Sequence, residues 1–200
     1  MSEIVATFDP FGTQLDFDKT CSEIKNSIGR ADDGELFLES TTSESISYED
    51  QRLRNASYNA SQGFGLRAVN GEIIGYAHSP NINHKAIKEA GRSIDLVMNG
   101  SSDSARAPKQ TTKKLYTDQD PMISVPFEKK VEILKEIDDH ARSLDKRVIQ
   151  VSANIGASLQ EILILRVDRS LTTDIRPMAR LNVSIILEEN GRRESGSSGA

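Results

Sequence analysis

Apolar residues recur at helical spacing in three segments of the chain. Almost all of them lie three or four positions apart, so they share one face of a helix and leave the other face polar. The three apolar faces are formed by Phe17, Cys21, Ile24 and Ile28; by Ile82, Ala86, Ile87, Ala90, Ile94 and Val97; and by Phe127, Val131, Leu134, Ile137, Ala141 and Leu144. The pattern therefore predicts three amphipathic helices, each with one face that packs on a core.

Compact apolar or β-branched segments lie between and after these helices and are typical of strands. Seven such segments cover residues 35–39, 41–48, 64–69, 72–77, 148–155, 161–168 and 179–187. Asn70-Gly71 separates the third segment from the fourth, and this dipeptide readily adopts the positive φ angles of a two-residue hairpin. Because the strands occur in runs, we predict an α+β fold with a largely antiparallel sheet, about three helices and about seven strands.

Two polar stretches interrupt this pattern. Residues 101–113 contain no large apolar side chain and are typical of an exposed linker. Beyond Leu187 the sequence is again polar, and no further strand is predicted there. We therefore expect an N-terminal α+β lobe over 1–103, a linker or long loop over 104–120, and a second α+β lobe over 121–200.

The composition narrows the class of protein. The 200 residues carry 25 Lys and Arg against 30 Asp and Glu, a net charge of −5, which disfavours a nucleic-acid role. No stretch approaches the roughly 20 apolar residues of a membrane helix, and the N-terminus has no signal-peptide pattern. One cysteine, Cys21, cannot form an internal disulfide and indicates a reducing cytoplasm. The composition thus favours a cytoplasmic protein without a membrane partner.

A search for reactive or metal-binding side chains leaves catalytic, cofactor-binding and metal-binding residues unassigned. The chain has three histidines, His78, His84 and His140. None lies in an HExxH pattern. Glu136 and His140 are four positions apart on the third predicted helix, one turn after Glu132, and a solvated charged face explains them. Cys21 lies on an apolar helix face, where a small buried side chain is favoured over a nucleophile.

Several short segments between residues 30 and 200 share a pattern with one known family. They are Glu49-Asp50-Gln51-Arg52-Leu53, Ser57-Tyr58-Asn59, the run from Gln62 to Gly71, Gly75-Tyr76-Ala77, the run from Asp145 to Val148, the run from Asp174 to Pro177, Arg180-Leu181, and the run from Glu188 to Arg193. Through these segments the chain resembles the TldD/PmbA family. Within that family it is more similar to the TldD branch than to the PmbA (TldE) branch.

The resemblance implies a cytoplasmic zinc metallopeptidase that acts with a PmbA/TldE-like paralogue on flexible peptides. An older label connects the family to modulation of DNA gyrase. In such proteins an HExxxH helix and a cysteine of a C-terminal domain hold the zinc. This chain contains no HExxxH, so no family residue is carried over as catalytic or metal-binding. We therefore expect the second lobe to be truncated before the catalytic domain, and the chain alone to be inactive and without a cofactor of its own.

Two functional hypotheses follow from the resemblance. In the first, the chain is the non-catalytic N-terminal portion of a TldD-like peptidase that pairs with a PmbA/TldE-like paralogue or with itself. In the second, it is a stand-alone binding or regulatory module that docks on a PmbA-like partner without catalysis. An extended peptide could add to an exposed edge of the sheet. Phe64–Val69 and Glu161–Asp168 are the candidate strands for this contact.

Overall fold

A computed structural model of the chain describes residues 8–28, 30–98 and 115–200. Its helices are α1 (Pro10–Thr13), α2 (Phe17–Ile28), α3 (His84–Met98), α4 (Pro121–Ser124) and α5 (Phe127–Leu144). Its strands are β1 (Asp33–Glu49), β2 (Arg52–Asn70), β3 (Ile73–Ser79), β4 (Val148–Arg166), β5 (Leu171–Glu189) and β6 (Arg192–Gly199). The predicted α+β class is therefore confirmed. The linker predicted over 101–113 and the side chain of Val97 lie outside the described residues.

The three predicted amphipathic helices are present as α2, α3 and α5. The backbone N–H of Lys19 donates to Asp16 Oδ1 at 2.7 Å near the start of α2. The N–H of Ala86 donates to Asn83 Oδ1 at 2.9 Å near the start of α3. α5 begins directly after Pro126 and has no side-chain cap. A short polar side chain therefore accepts a hydrogen bond from one of the free N–H groups at the start of each of these two helices.

The two four-residue helices, α1 and α4, are too short to show a hydrophobic period, and the sequence prediction did not include them. Each begins with a proline that directly follows an aspartate N-cap. Asp9 Oδ1 accepts a hydrogen bond from Gly12 N at 2.9 Å, and Asp120 Oδ1 accepts one from Met122 N at 2.7 Å. The Asp-Pro pair is thus the local sequence signal for both helices.

The six strands lie in one sheet in the order β3-β2-β1-β4-β5-β6. β2 and β3 are antiparallel, with Val69 opposite Ile74 and Asn70 opposite Ile73. Gly71 follows with a φ angle of 59°, the left-handed conformation that a tight hairpin requires. The hairpin predicted here is therefore confirmed, but its two loop residues are Gly71 and Glu72, because Asn70 is the last residue of β2.

β1 and β4 each replace two of the predicted strands. β1 continues through Thr41, where the chain was expected to return, and β4 continues through Asn154, which resembles a turn residue. Asn154 Nδ2 donates to Ser45 Oγ and to the Ile46 carbonyl, both at 3.1 Å. The asparagine side chain therefore bonds across to another strand, and the backbone stays extended.

β6 pairs antiparallel with β5 after a turn at Asn190-Gly191. Both turn residues have positive φ angles, 54° and 79°. The prediction of no strand beyond Leu187 is therefore wrong. The residues of β6 are all exposed. A strand without a buried face shows no apolar alternation, so its sequence lacks the usual signal.

The described residues form two compact units. The first unit draws its described residues from Met1–Thr41, Ser61–Thr117 and Gln160–Ile175, and the second from Thr42–Ala60, Asp118–Leu159 and Arg176–Ala200. The lobes expected over 1–103 and 121–200 stay a prediction.

The core of the first unit is an extended apolar cluster. α3 packs against α2 and against β3. The cluster consists of Leu15, Cys21, Ile24, Ile28, Leu36, Leu38, Phe64, Leu66, Ala68, Ile82, Ile87, Ala90, Ile94, Leu163 and Leu165. The described residues of the apolar faces predicted for the first two helices thus lie in this core or pack against it.

The core of the second unit is smaller and includes charged groups. Its apolar cluster consists of Ile46, Tyr48, Leu134 and Ala153, with Val131 and Ile137 of α5 packed against it. On the same helix Lys130 is 4% exposed and Asp138 is 1% exposed. Lys130 pairs with Glu44, and Asp138 pairs with Arg142. These pairs offset the high cost of burying an unpaired charge.

Candidate functional site

Cys21 is buried in the core of the first unit, as its position on an apolar helix face predicts. Burial raises the pKa of the Cys21 thiol, and the positive charge of Arg169 opposes this shift in part. A cysteine nucleophile acts as the thiolate, which a raised pKa disfavours. The surroundings of Cys21 are therefore typical of a buried cysteine that packs in a core.

The histidines also have surroundings that explain them without a ligand. His84 Nδ1 lies 2.8 Å from Glu23 Oε2, and His84 Nε2 accepts a hydrogen bond from Asp16 N at 3.2 Å. Both ring nitrogens are therefore occupied, with the proton on Nδ1. His140 is exposed on α5. Among residues 8–28, 30–98 and 115–200 no group of three or more His, Cys, Asp or Glu could hold a metal ion.

The two strands suggested for peptide addition are both interior. Phe64–Val69 belongs to β2, which lies between β3 and β1, and Glu161–Asp168 overlaps β4, which lies between β1 and β5. Neither candidate strand therefore lies at an edge of the sheet. Within the described part of the chain, the edges of the sheet are β3 and β6. Periodicity shows which segments are strands but not which strands lie outermost.

The first unit has an open groove of about 340 Å³ across β1, β2 and β3, which we call the aromatic groove. The side chains and glycines that matter for its chemistry are Phe37, Glu39, Gly63, Gly65, Tyr76 and His78. The Tyr76 and His78 rings stack with their centroids 5.8 Å apart and their planes 27° apart. Tyr76 is 63% exposed. The groove therefore presents aromatic surface to solvent.

Two glycines give the aromatic groove its shape. A Cβ atom at Gly65 would lie 2.7 Å from Tyr76 Oη, and one at Gly63 would lie 2.9 Å from the carbonyl oxygen of Ser79. The absence of a side chain at Gly65 lets the Tyr76 ring lie close over β2, and its absence at Gly63 leaves room for the Ser79 backbone. Gly63 and Gly65 also alternate with Phe64 and Leu66, which point into the core. The glycines therefore mark one face of β2.

The second unit has a groove of about 400 Å³ with mostly polar residues, which we call the polar groove. Its acid, Glu49, accepts hydrogen bonds from Gln150 Nε2 at 2.6 Å and Ser152 Oγ at 3.4 Å, and it pairs with Arg54 at 3.5 Å. Arg180 Nε donates to Asn182 Oδ1 at 2.9 Å. The charged groups here already have partners within the protein.

Neither groove is predicted by sequence patterns of nucleophiles, metal ligands or phosphate loops. The aromatic groove has a weak local signal, because Gly63 and Gly65 alternate with apolar residues and Tyr76 alternates with His78. Such alternation shows that residues share a face of a strand. It does not show that two faces from different strands meet in one groove.

Comparison with known families matches two domains along the chain. The first domain of a family described as PmbA/TldA metallopeptidase matches residues 34–95. The central domain of the same family matches residues 120–200. The two matches together cover most of the chain and most of the residues that form the two grooves.

Curated relatives with similar sequences include metalloprotease TldD homologues. One from Haemophilus influenzae is 36% identical over 173 residues, which cover 84% of this chain and 36% of the relative. One from Buchnera aphidicola subsp. Schizaphis graminum is 34% identical over 170 residues, which cover 84% of this chain and 35% of the relative. The chain thus spans about a third of the length of these relatives.

Solved structures share the fold at low sequence identity. A candidate modulator of DNA gyrase from Bacteroides thetaiotaomicron has a TM-score of 0.70 at 18% identity, covering 91% of this chain and 44% of that chain. TldE from Thermococcus kodakarensis has a TM-score of 0.69 at 17% identity, covering 90% and 42%. These two structures support the fold alone. With two family domains matched in order, the chain belongs to the PmbA/TldD metallopeptidase family.

Proposed function

We propose that this chain is the non-catalytic N-terminal portion of a TldD-like zinc metallopeptidase of the cytoplasm, which acts with a PmbA/TldE-like partner in the proteolysis of flexible peptides. The observation that carries the proposal is the set of domain matches. The first and central domains of the family account for residues 34–95 and 120–200. The TldD homologues that align with 84% of this chain have about two thirds of their length outside the alignment.

The proposal includes zinc because of the family resemblance. None of the residues described above is proposed to bind it. A zinc site in a protein takes three or four His, Cys or carboxylate ligands that converge. Cys21 lies in an apolar core and both ring nitrogens of His84 have protein partners. The described residues therefore do not fit a zinc ion, and we derive no step of peptide cleavage from them. In the proposal the metal belongs to another part of a longer protein.

The proposed contribution of this chain is to hold the peptide. The two grooves lie on strands and are open along one side, which suits an extended chain better than a compact ligand. Serine and asparagine side chains of the polar groove can donate to and accept from peptide amides. Binding through the peptide backbone recognises an unfolded segment with little dependence on its sequence.

The proposed partner is a PmbA/TldE-like paralogue, with self-association as the alternative. The likeness to TldE supports a partner of the same fold, and two chains of one fold can form a pseudo-symmetric pair. No helix in the described ranges is long and apolar enough to cross a lipid bilayer. The cytoplasmic location is proposed from the single cysteine and the family.

The test of the proposal is metal analysis and a peptidase assay on the 200-residue chain. We expect zinc far below one ion per chain and no turnover of an unstructured fluorogenic peptide. The TldD homologue of Haemophilus influenzae, prepared in the same way, is the positive control for both measurements. Stoichiometric zinc together with turnover that a chelator abolishes would overturn the assignment of the chemistry to another part of the protein.

A second measurement separates this proposal from a stand-alone binding module. An antibody against this chain detects the natural protein in extracts of the source cells, and its mass is read from an immunoblot. The proposal expects a product well above the 22.0 kDa of this chain. A product of 22.0 kDa that co-purifies with a PmbA-like protein and lacks peptidase activity supports the stand-alone module instead.

A further inference from the structure

The aromatic groove contains a carboxylate that the described protein does not neutralise. Glu39 accepts a hydrogen bond from Thr41 Oγ1 at 2.9 Å and forms no ion pair within the described ranges. On the same strand, Asp33 and Glu35 both pair with Arg67, at 3.3 Å and 3.2 Å. Glu39 is therefore the acid on this part of β1 that has no cationic partner in the described protein. Its carboxylate can bind a cation of a ligand.

The walls of the aromatic groove are flat rings. Tyr76 stacks on His78 and remains 63% exposed, and Phe37 lies on the opposite side, on β1. Exposed aromatic faces attract cations, and a planar guanidinium also stacks on them. Rings and a carboxylate thus meet in one groove, which is the combination that recognises an arginine side chain.

We propose that the aromatic groove binds the side chain of an arginine in an extended peptide. The guanidinium forms a charge-assisted hydrogen bond with the Glu39 carboxylate, and its plane stacks on Tyr76. The volume of about 340 Å³ admits one long side chain and part of the peptide backbone. Arginine fits better than lysine because its planar group uses both the carboxylate and the ring. The inference rests on the proposed function only in taking a peptide as the ligand.

The test is a titration of the ¹⁵N-labelled chain, followed by NMR, with the blocked peptide acetyl-Gly-Ser-Arg-Ser-Gly-amide. Matched peptides carry glutamine or lysine in place of the arginine. We expect the arginine peptide to shift the amide signals of Gly63, Gly65 and Tyr76, with an affinity about tenfold above that of the glutamine peptide. Binding should weaken as NaCl rises from about 50 mM to about 500 mM, because the carboxylate is partly exposed.

Variants assign the binding to particular side chains. Glu39→Gln should weaken binding of the arginine peptide about fivefold to tenfold and leave the glutamine peptide unaffected. Tyr76→Leu should weaken it about threefold to fivefold through loss of the aromatic face. Glu72→Gln, which removes an exposed carboxylate in the turn before β3, is the matched control and should change nothing. Circular dichroism confirms that each variant is folded.

Four results would overturn the inference. One is equal affinity for the arginine and glutamine peptides. Another is unchanged arginine binding in folded Glu39→Gln. The third is a set of shifted signals that excludes Gly63, Gly65 and Tyr76. Tighter binding of the lysine peptide than the arginine peptide would reject stacking and with it the proposed ligand. All of these results concern peptide binding. The zinc and peptidase measurements that test the proposed function are independent of them.

Discussion

The two units of the chain are stabilised by different kinds of core. Among the described residues, the apolar cluster of the first unit has 15 buried members, and that of the second has four. Each unit also buries charge in ion pairs. In the first unit Glu23, 7% exposed, pairs with Lys88 at 3.6 Å, and in the second unit Lys130 and Asp138 are both buried and paired. Lys130 Nζ, on a side chain 4% exposed, lies 2.5 Å from Glu44 Oε1 and 2.8 Å from the carbonyl of Met122. A small apolar core is thus supplemented by buried charge.

The ion pairs of the second unit also support a turn. Arg142 Nη2 donates to Asp50 Oδ1 at 2.7 Å, and Arg142 Nε pairs with the buried Asp138 at 3.2 Å. Asp50 and Gln51 both have positive φ angles, 47° and 63°, which non-glycine residues rarely adopt. The guanidinium therefore holds a strained hairpin turn between β1 and β2. Apolar packing is non-directional, whereas a buried ion pair specifies one geometry.

The largest expected effect comes from a cavity in the first core. Leu66→Ala should lower the free energy of unfolding by about 3–5 kcal/mol, because Leu66 is 0% exposed among tightly packed neighbours. Urea denaturation followed by circular dichroism measures the change. Ile74→Ala, at a position 61% exposed in the same unit, is the control and should stay within about 0.5 kcal/mol. Equal losses in the two variants would contradict the account of the first core.

A smaller effect is expected from the buried ion pair of the second unit. Lys130→Met keeps the aliphatic stem but leaves Glu44, whose side chain is 17% exposed, without its cation. We expect a loss of about 2–3 kcal/mol, measured by urea denaturation. The double variant Lys130→Met with Glu44→Leu should recover most of that loss, because it removes both charges.

Lys129 provides the matched control for Lys130. It pairs with Glu132 at 2.7 Å, but both side chains are more than half exposed. Lys129→Met should therefore cost far less than Lys130→Met, and the difference should persist at high salt, which screens only the exposed pair. A loss of stability from Lys129→Met as large as that from Lys130→Met would show that burial does not make the Lys130 ion pair more stabilising than an exposed pair.

The smallest effect concerns an exposed ion pair and its dependence on pH. Hydrogen bonds from the Arg147 side chain and backbone N–H lower the pKa of Asp145 from 3.8 to about 2. Because the pKa of Asp145 is lower in the folded state than in the unfolded state, this stabilisation is complete at pH values above the unfolded pKa. It is lost as the pH falls from about 4 through about 2. Carboxyl carbon shifts in an NMR titration should give a midpoint near 2 for Asp145.

Asp145→Asn supplies the control for the pH experiment. The amide cannot be deprotonated, so the variant should lack this acid-dependent contribution to stability between about pH 4 and pH 2. An ordinary midpoint near 3.8 in the parent protein would show that the contacts of Asp145 with Arg147 do not persist in solution.

Local chemistry in the sequence predicted much of the fold. Helical spacing located α2, α3 and α5, since burial of one face is the physical cause of that spacing. Asn70-Gly71 located a hairpin because glycine readily adopts the positive φ angle that Gly71 has in the loop. The same signal at Asn190-Gly191 was available, but the polar strand after it concealed the hairpin.

The parts of the structure that the sequence did not predict depend on contacts between distant segments. The turn at Asp50-Gln51 has no glycine, and its geometry is supported by Arg142, which lies 92 positions from Asp50 in the chain. The two grooves likewise join strands that are far apart in sequence. Periodicity describes neighbours along one element, so it carries no information about which elements meet.

The discontinuous make-up of the first unit has a consequence for its synthesis on the ribosome. Leu163 and Leu165 of β4 complete its apolar cluster, whereas all other members of the cluster lie at or before Ile94. Roughly 70 residues must be translated between Ile94 and Leu163, which takes about 4–14 seconds at ordinary elongation rates. During that interval the nascent chain exposes an unfinished apolar surface. Chaperone contact is therefore expected to be strongest before β4 has emerged from the ribosome.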